Sequence, residues 1–277
     1  MRAERAPGAA PAEGLLSGQV ILVSDDTDGL GAAIAADLGA ERAAVALHAG
    51  GGSPVGLELS REGDRSSPPG PTLVSADLRR PGEAGAALAE VTSALGAPHT
   101  LVMCVAGPHR RLRDLPSAAS FIDLEPGDFS GVNGGDLSGE LACVQAAVES
   151  FVHRKPGNRP GSLVGRVILV APPPGDSMGA EGISAELARD RARSLVRVLA
   201  RELGPWGISV NGVVPGVLSM SVAGPAEAMV RRAPLHVPGD RYTTHADVSA
   251  AVAFLASAGG EHLHGQILEV DGGLRPC

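Results

Sequence analysis

The first residues that could do chemistry lie in a glycine-containing turn near the amino terminus. The turn reads SDDTDGLG over residues 24–31 and follows a short apolar run, VILV. Glycines at such a turn let backbone N–H groups approach a pyrophosphate at the start of the next helix. We therefore expect a dinucleotide-binding turn lined by Ser24, Gly29, Leu30 and Gly31.

The same turn carries three carboxylates, Asp25, Asp26 and Asp28. Two like charges about 4 Å apart repel by about 4 kcal/mol at an effective dielectric of 20. The turn therefore indicates a dinucleotide-binding fold while weakening NAD(P) as its ligand. Its spacing matches no familiar cation loop, so we expect no metal here. The next strand ends in residues 48–50, HAG, which supply neither the acid typical of NAD sites nor the arginine typical of NADP sites.

Seven short apolar runs, separated by helical patterns, must position this turn. They cover residues 19–24, 43–48, 72–75, 100–105, 166–171, 207–213 and 266–270. Runs without polar alternation favour a parallel sheet with helices on both faces. We predict an α/β fold, a doubly wound seven-stranded Rossmann-like sheet in a single domain over residues 17–277, preceded by a flexible tail over residues 1–16.

Composition narrows the class of protein. The chain has 277 residues, a net charge of −8 and 44% hydrophobic residues, which is enough for a full core but unsuited to nucleic acid. Three cysteines and no apolar run of membrane-spanning length favour a cytoplasmic protein without a membrane partner. The richness in Gly, Pro, Ala and Arg is typical of a GC-rich bacterial genome.

Over residues 17–273 the chain resembles the short-chain dehydrogenase/reductase family. The motifs are the glycine turn, ADL at 76–78, CVAG at 104–107, VNGVVPG at 210–216 and GQILEVDGG at 265–273. The resemblance implies that further cofactor contacts come from Asp77, Leu78, Ala106, Gly107, Pro215 and Gly216.

The resemblance also implies a catalytic tetrad of Asn, Ser, Tyr and Lys, in which Tyr is the general acid or base and Lys lowers its pKa. Alignment with the family pattern places these four positions at Asp136, Pro172, Ala185 and Arg189. The single Tyr, Tyr242, and the single Lys, Lys155, lie elsewhere, and the chain contains no YxxxK. Ordinary tyrosine-dependent hydride transfer is therefore not expected.

Other residues near these positions offer alternative chemistry. Arg189 is either a ligand for a carboxylate or phosphate, or part of a solvated or interface stripe that continues at four-residue spacing through Arg193, Arg197 and Arg201. Asp136 is either a general base or a helix-start residue that the helix dipole favours. We expect non-catalytic roles, as core filler, solvated or loop residues, for Cys104, His109, Ser177 and Ser184.

Three hypotheses for function follow. The first is a non-catalytic partner or scaffold subunit of a bacterial small-molecule biosynthetic enzyme. It would form a homo- or hetero-oligomer with a similar reductase through helices near residues 136–153 and 184–203. The second is a non-redox cyclase, isomerase or dehydratase that reuses the cleft for a small-molecule ligand, and the third is an NAD(P)-dependent oxidoreductase with unusual acid and base groups.

Overall fold

The computed structural model describes residues 14–25, 29–49, 70–74, 82–106, 137–153, 163–174, 180–219 and 237–274. Seven parallel strands form one sheet in the order β3-β2-β1-β4-β5-β6-β7. The predicted doubly wound α/β fold is therefore confirmed. The first thirteen residues of the predicted tail lie outside the described residues, and the domain boundary stays a prediction.

The predicted strands match the observed ones to within two residues at each end. The strands are β1 (Val20–Asp25), β2 (Ala44–Ala49), β3 (Thr72–Val74), β4 (Thr100–Cys104), β5 (Gly165–Val170), β6 (Ile208–Pro215) and β7 (Ile267–Val270). The helices are α1 (Leu30–Ala40), α2 (Ala84–Leu95), α3 (Leu137–Val152), α4 (Ala180–Leu203) and α5 (His245–Ala256).

The strand order reverses beside β1, which pairs with β2 on one side and β4 on the other. In open α/β sheets of this kind, ligands bind outside the carboxyl ends of the strands at such a switch point. The functional site should therefore be sought where β1, β4, β5 and β6 end.

Aliphatic side chains fill two layers, one on each face of the sheet. Along β1, Val20 and Leu22 face α2, α3 and α4, whereas Ile21 and Val23 face α1 and α5. Gly212 lets α4 approach, because a Cβ at that position would lie 2.9 Å from Val196. Both faces are apolar since both are covered, as the unbroken apolar runs predicted.

The apolar face predicted for α3 is divided between core and surface. Val144 is buried at 3% exposure, but Leu137 and Leu141 are 41% and 39% exposed. The sheet is covered instead by Cys143, Ala147 and Phe151. The two leucines lie beside that buried face, and this leaves an apolar surface on the helix.

The start of α5 is fixed by a capping box, as the sequence predicts. Thr244 accepts a hydrogen bond from the Asp247 backbone, and the Asp247 carboxylate accepts one from the Thr244 backbone at 2.8 Å. Arg241 adds a two-pronged ion pair to that carboxylate at 2.6 and 2.8 Å. These contacts satisfy backbone donors that the first helical turn leaves unpaired.

Candidate functional site at the carboxyl edge of the sheet

Of the glycine turn after β1, the structure describes the two ends, residues 24–25 and 29–31. Gly29 has φ 104° and stands at the N-cap of α1 without a side-chain cap. Leu30 and Gly31 are buried in the first turn of that helix. Only glycine adopts such a φ readily, so Gly29 explains the need for a glycine at the start of α1.

Ser24, the first predicted cofactor contact, is engaged inside the protein. It is fully buried at the end of β1, and its Oγ lies 3.2 Å from Nδ1 of His48. His48 is itself 3% exposed and lies near the end of β2. The hydrogen bond therefore joins two neighbouring strands at the edge where a ligand would bind.

Pro215 is the last residue of β6 and Gly216 begins the loop that follows, while their role as cofactor contacts stays a prediction. Gly216 is needed for packing, because a Cβ there would lie 2.7 Å from the Asp271 backbone. The Pro215 carbonyl accepts a hydrogen bond from an arginine, described next.

Arg189, at the position of the family's lysine, is only 1% exposed. Its Nη1 donates to the Pro172 carbonyl at 3.0 Å and to the Pro215 carbonyl at 2.6 Å. Its Nε lies 3.6 Å from the Glu186 carboxylate. Since Pro172 follows β5 and Pro215 ends β6, this guanidinium joins the carboxyl ends of two adjacent strands.

The interpretation of Arg189 as part of a solvated stripe is therefore wrong. Arg189 lies on the buried side of α4, while Arg197 and Arg201 are exposed. Arg193 is intermediate and pairs with Glu269 on β7 at 2.8 Å and with Asp190 at 3.0 Å. Burial opposes the charge of Arg193, but the two carboxylates outweigh it and raise the pKa of this arginine.

A second cluster fixes the end of β4. Glu140 on α3 is fully buried, and its Oε1 accepts from the Ala106 backbone N–H at 2.9 Å. Arg191 on α4 donates to the same oxygen at 2.9 Å and to the Ala106 carbonyl at 3.2 Å. Both backbone groups of Ala106, a predicted cofactor contact, are thus bonded to the protein's own charged side chains.

The tetrad positions within the described residues offer no acid or base. Pro172 has no hydroxyl, and Ala185 is 1% exposed with only a methyl group. Ser184, which precedes Ala185, is fully buried, and its Oγ makes no hydrogen bond. Cys104 is buried at the end of β4, as predicted for core filler.

Several predicted residues cannot be placed. Asp26, Asp28, Asp77, Leu78, Gly107, His109, Asp136 and Ser177 lie outside the described residues, and the structure describes only the backbone of Asp25. In the part of the chain that is described, no three His, Cys, Asp or Glu side chains form a group that could hold a metal ion.

A nicotinamide dinucleotide fits one half of this edge and not the other. The turn at Gly29 retains a helix start suited to a pyrophosphate. At the ends of β4, β5 and β6, however, the backbone groups are bonded to Glu140, Arg191 and Arg189. In the described part of the half that would hold a reacting ring, these backbone groups are thus occupied by internal hydrogen bonds.

Sequence reasoning missed Glu140, Arg191 and the role of His48. A signal existed for Glu140, since it stands three residues before Cys143 and seven before Ala147 on the buried face of α3. A charge on an apolar face indicates a buried partner. The partner itself carried no signal, because Arg191 is 51 residues away along the chain.

A family model described as "Enoyl-(Acyl carrier protein) reductase" matches residues 25–275. A chloroplastic NADPH-dependent aldehyde reductase-like protein of Arabidopsis thaliana is 29% identical, over 93% of this chain and 94% of that protein. The 3-oxoacyl-[acyl-carrier-protein] reductase MabA of Mycobacterium avium is 28% identical, over 92% of this chain and 89% of its own. The chain belongs to the short-chain dehydrogenase/reductase family, whose named relatives are oxidoreductases.

Solved structures agree on the fold. A short-chain type dehydrogenase/reductase from Mycobacterium marinum superposes with a TM-score of 0.71 at 20% sequence identity, covering 95% of this chain and 97% of that one. Among the described residues, no helix is both long and apolar enough to cross a membrane.

Proposed function

We propose that this protein is a non-catalytic partner or scaffold subunit of a bacterial small-molecule biosynthetic enzyme. The observation that carries the proposal is the buried guanidinium of Arg189, which bonds the Pro172 and Pro215 carbonyls. In the resembled enzymes a lysine at this position serves a tyrosine and the cofactor. Here the side chain serves the protein's own backbone, and the tyrosine position is the buried Ala185.

The names of the relatives favour oxidoreductase chemistry. The proposal differs because of the residues that stand at the positions where the family's catalytic side chains are expected. A general acid must hold a proton within hydrogen-bond reach of the reacting atom. Neither a methyl group at Ala185 nor the tertiary amide of Pro172 supplies one. The family fold is kept, while neither of these two described positions carries a proton donor.

A non-redox enzyme that reuses the cleft is the second candidate, favoured by the presence of buried charge at this edge. Glu140 and Arg191 are a carboxylate and a guanidinium beside the end of β4. A carboxylate that is fully buried and bonded to Arg191 and Ala106 is better suited to holding the strand than to exchanging protons. We therefore rank this candidate below the partner subunit.

The surface that we assign to the partner lies on α3 and α4. Leu137, Leu141 and Val152 are 41%, 39% and 41% exposed on α3, and Leu187 and Val198 are 44% and 48% exposed on α4. Exposed apolar side chains grouped on neighbouring elements mark protein interaction sites. A second reductase-like subunit with an apolar two-helix face would cover them.

The experiment is a paired titration and turnover assay with NADH and NADPH. An active reductase of the family serves as the positive control, and ketone and alcohol panels serve as substrates. We expect no saturable cofactor binding and no turnover by the purified protein. Steady turnover of any substrate in the panel would contradict the proposal in favour of an oxidoreductase with unusual acid and base groups.

A second measurement separates a partner subunit from a non-redox enzyme. Light scattering of the protein mixed with a co-encoded reductase homologue should give a mixed oligomer, and Leu141→Asp should abolish it. Glu149→Gln, an exposed change on the same helix, is the matched control. A homo-oligomer that ignores the homologue would remove the partner subunit from consideration.

A further inference from the structure

A basic groove lies at the opposite edge of the sheet from the candidate site, where β6 and β7 begin. Its volume is about 640 Å³, and its lining residues are Arg197, Ala200, Arg201, Gly204, His264 and Gly265. We call it the amino-edge groove. It shares no residue with the site at the carboxyl edge. An inference about this groove therefore does not depend on whether that site is catalytic.

His264 builds one wall of the groove and fixes its shape. Its Nε2 donates to the Ala200 carbonyl at 2.7 Å, and its Nδ1 accepts from the Val210 backbone N–H at 3.1 Å. The ring thereby ties the loop before β7 to both α4 and β6. Gly204 lets the ring lie there, because a Cβ at that position would come within 2.9 Å of Nε2.

The charge of the groove comes from two arginines one helical turn apart. Arg197 and Arg201 are exposed, and within the described part of the chain neither forms an ion pair. Arg193, one turn earlier, pairs with Glu269 and Asp190, so these two carboxylates are engaged by that arginine. The helix dipole favours cations at this end by about 0.3–1 kcal/mol but leaves their guanidinium donors unbonded.

An exposed aromatic side chain follows the lining residue Gly204. Trp206 stands two residues beyond Gly204 in the same short helical turn and is 60% exposed. Tryptophan and arginine are enriched among the residues that carry most of the energy of protein interfaces. The groove is open, whereas small-ligand sites enclose most of their ligand.

We propose that the amino-edge groove binds an acidic segment of a partner protein, with two carboxylates one helical turn apart facing Arg197 and Arg201. Side chains four residues apart lie on the same face of a helix, so an acidic helix matches the spacing of the arginines. Guanidinium–carboxylate bonds supply the energy, and Trp206 covers an apolar side chain of the same segment. The chain's net charge of −8 repels acidic partners elsewhere, which restricts them to this surface.

The test uses the full-length protein, because Trp206 is its single tryptophan and reports on the groove by fluorescence. The probe is a designed helical peptide with two glutamates four residues apart and one adjacent leucine. Its glutamine counterpart and free glutarate are the comparison ligands. We expect the glutamate peptide to change Trp206 emission saturably, with an affinity that falls as salt is added.

Variants then locate the binding. Arg197→Gln with Arg201→Gln should weaken the glutamate peptide at least about tenfold, since each lost charged hydrogen bond costs about 1.5–3 kcal/mol. Arg42→Gln removes one exposed positive charge on a distant turn and should leave the affinity unchanged. Calorimetry on the same samples gives the affinity independently of the fluorophore.

Four outcomes would overturn the proposal. The glutamine peptide could bind as tightly as the glutamate peptide, or Arg42→Gln could weaken binding as much as the double variant. Free glutarate could match the peptide, which would assign the groove to a small anion. Absence of binding by the glutamate peptide would equally contradict it.

Discussion

At the scale of single residues, Arg189 acts as a cross-link between strands. Its planar fork reaches two carbonyls on the ends of β5 and β6 while almost no part of it meets water. A lysine would bring the same charge but not the same geometry. Arg189 therefore bonds the protein's own backbone at the position where the family pattern has a lysine.

Removing this guanidinium should destabilise the protein strongly. Arg189→Ala leaves two carbonyls without their donor and a cavity between α4 and the sheet, so we expect a loss of about 2–5 kcal/mol in the free energy of unfolding. Arg189→Lys should lose less, because an ammonium still donates. Denaturant unfolding measures both, with the exposed Arg201→Ala as control. A loss at Arg189 no larger than that at Arg201 would refute the cross-link.

Glu140 and Arg191 form the second cross-link, and a double-mutant cycle tests it. Glu140→Gln or Arg191→Met alone leaves the other side chain as a buried charge without its ionic partner. Each single variant should lose about 3–5 kcal/mol in the free energy of unfolding. The double variant leaves neither charge without its partner. Its loss of stability should therefore be smaller than the sum of the two single losses by about 1–3 kcal/mol.

Thermal unfolding of the four proteins in the cycle gives the coupling energy. Glu149→Gln makes the same chemical change at an exposed position on α3 and should have little effect. Strictly additive losses would mean that Glu140 and Arg191 do not act as a pair.

At the scale of elements, the start of α5 gives the fold a dependence on acid pH. Hydrogen bonds from Arg241, followed by those from the Thr244 backbone, hold the pKa of Asp247 well below its usual range. A carboxyl group whose pKa is lower in the folded than in the unfolded protein stabilises the fold when the pH lies above its unfolded pKa, about 4. This contribution is lost as the pH falls toward the pKa of the folded state.

Asp247→Asn should therefore cost about 1 kcal/mol at neutral pH, the typical worth of a helix cap. The difference in unfolding free energy between wild type and variant should shrink below about pH 4. Denaturant titrations from pH 7 downward measure it, with the exposed Asp37→Asn as control. A difference that is constant across this range would contradict the role assigned to the carboxylate.

Also at this scale, the local sequence patterns of the strands and helices explain which predictions from the sequence held. The strands were readable because buried parallel strands are continuously apolar, and the cap of α5 because Thr and Asp stand at the required spacing. A surface stripe was one of two interpretations of Arg189, because this residue continues the four-residue spacing of Arg193, Arg197 and Arg201. It also shares the buried face with Ala192 and Val196, and that pattern should have taken precedence.

At the scale of the whole molecule, the chain keeps the family's fold, and charged side chains bond the backbone at the ends of β4, β5 and β6. The strands and the helix start at Gly29 could be predicted, since they follow from local patterns. The contacts of Glu140 with Arg191 and of Ser24 with His48 could not, because they join residues distant in sequence. Such pairings depend on tertiary packing, which a single sequence does not display.

The most direct measurement is a crystal structure of the protein soaked with NADPH. In this account, internal hydrogen bonds occupy backbone groups at the carboxyl ends of β4, β5 and β6. We predict that Arg189 stays between the Pro172 and Pro215 carbonyls, with no nicotinamide ring beside it. An ordered nicotinamide at the ends of β5 and β6, with the Arg189 guanidinium displaced, would contradict the account.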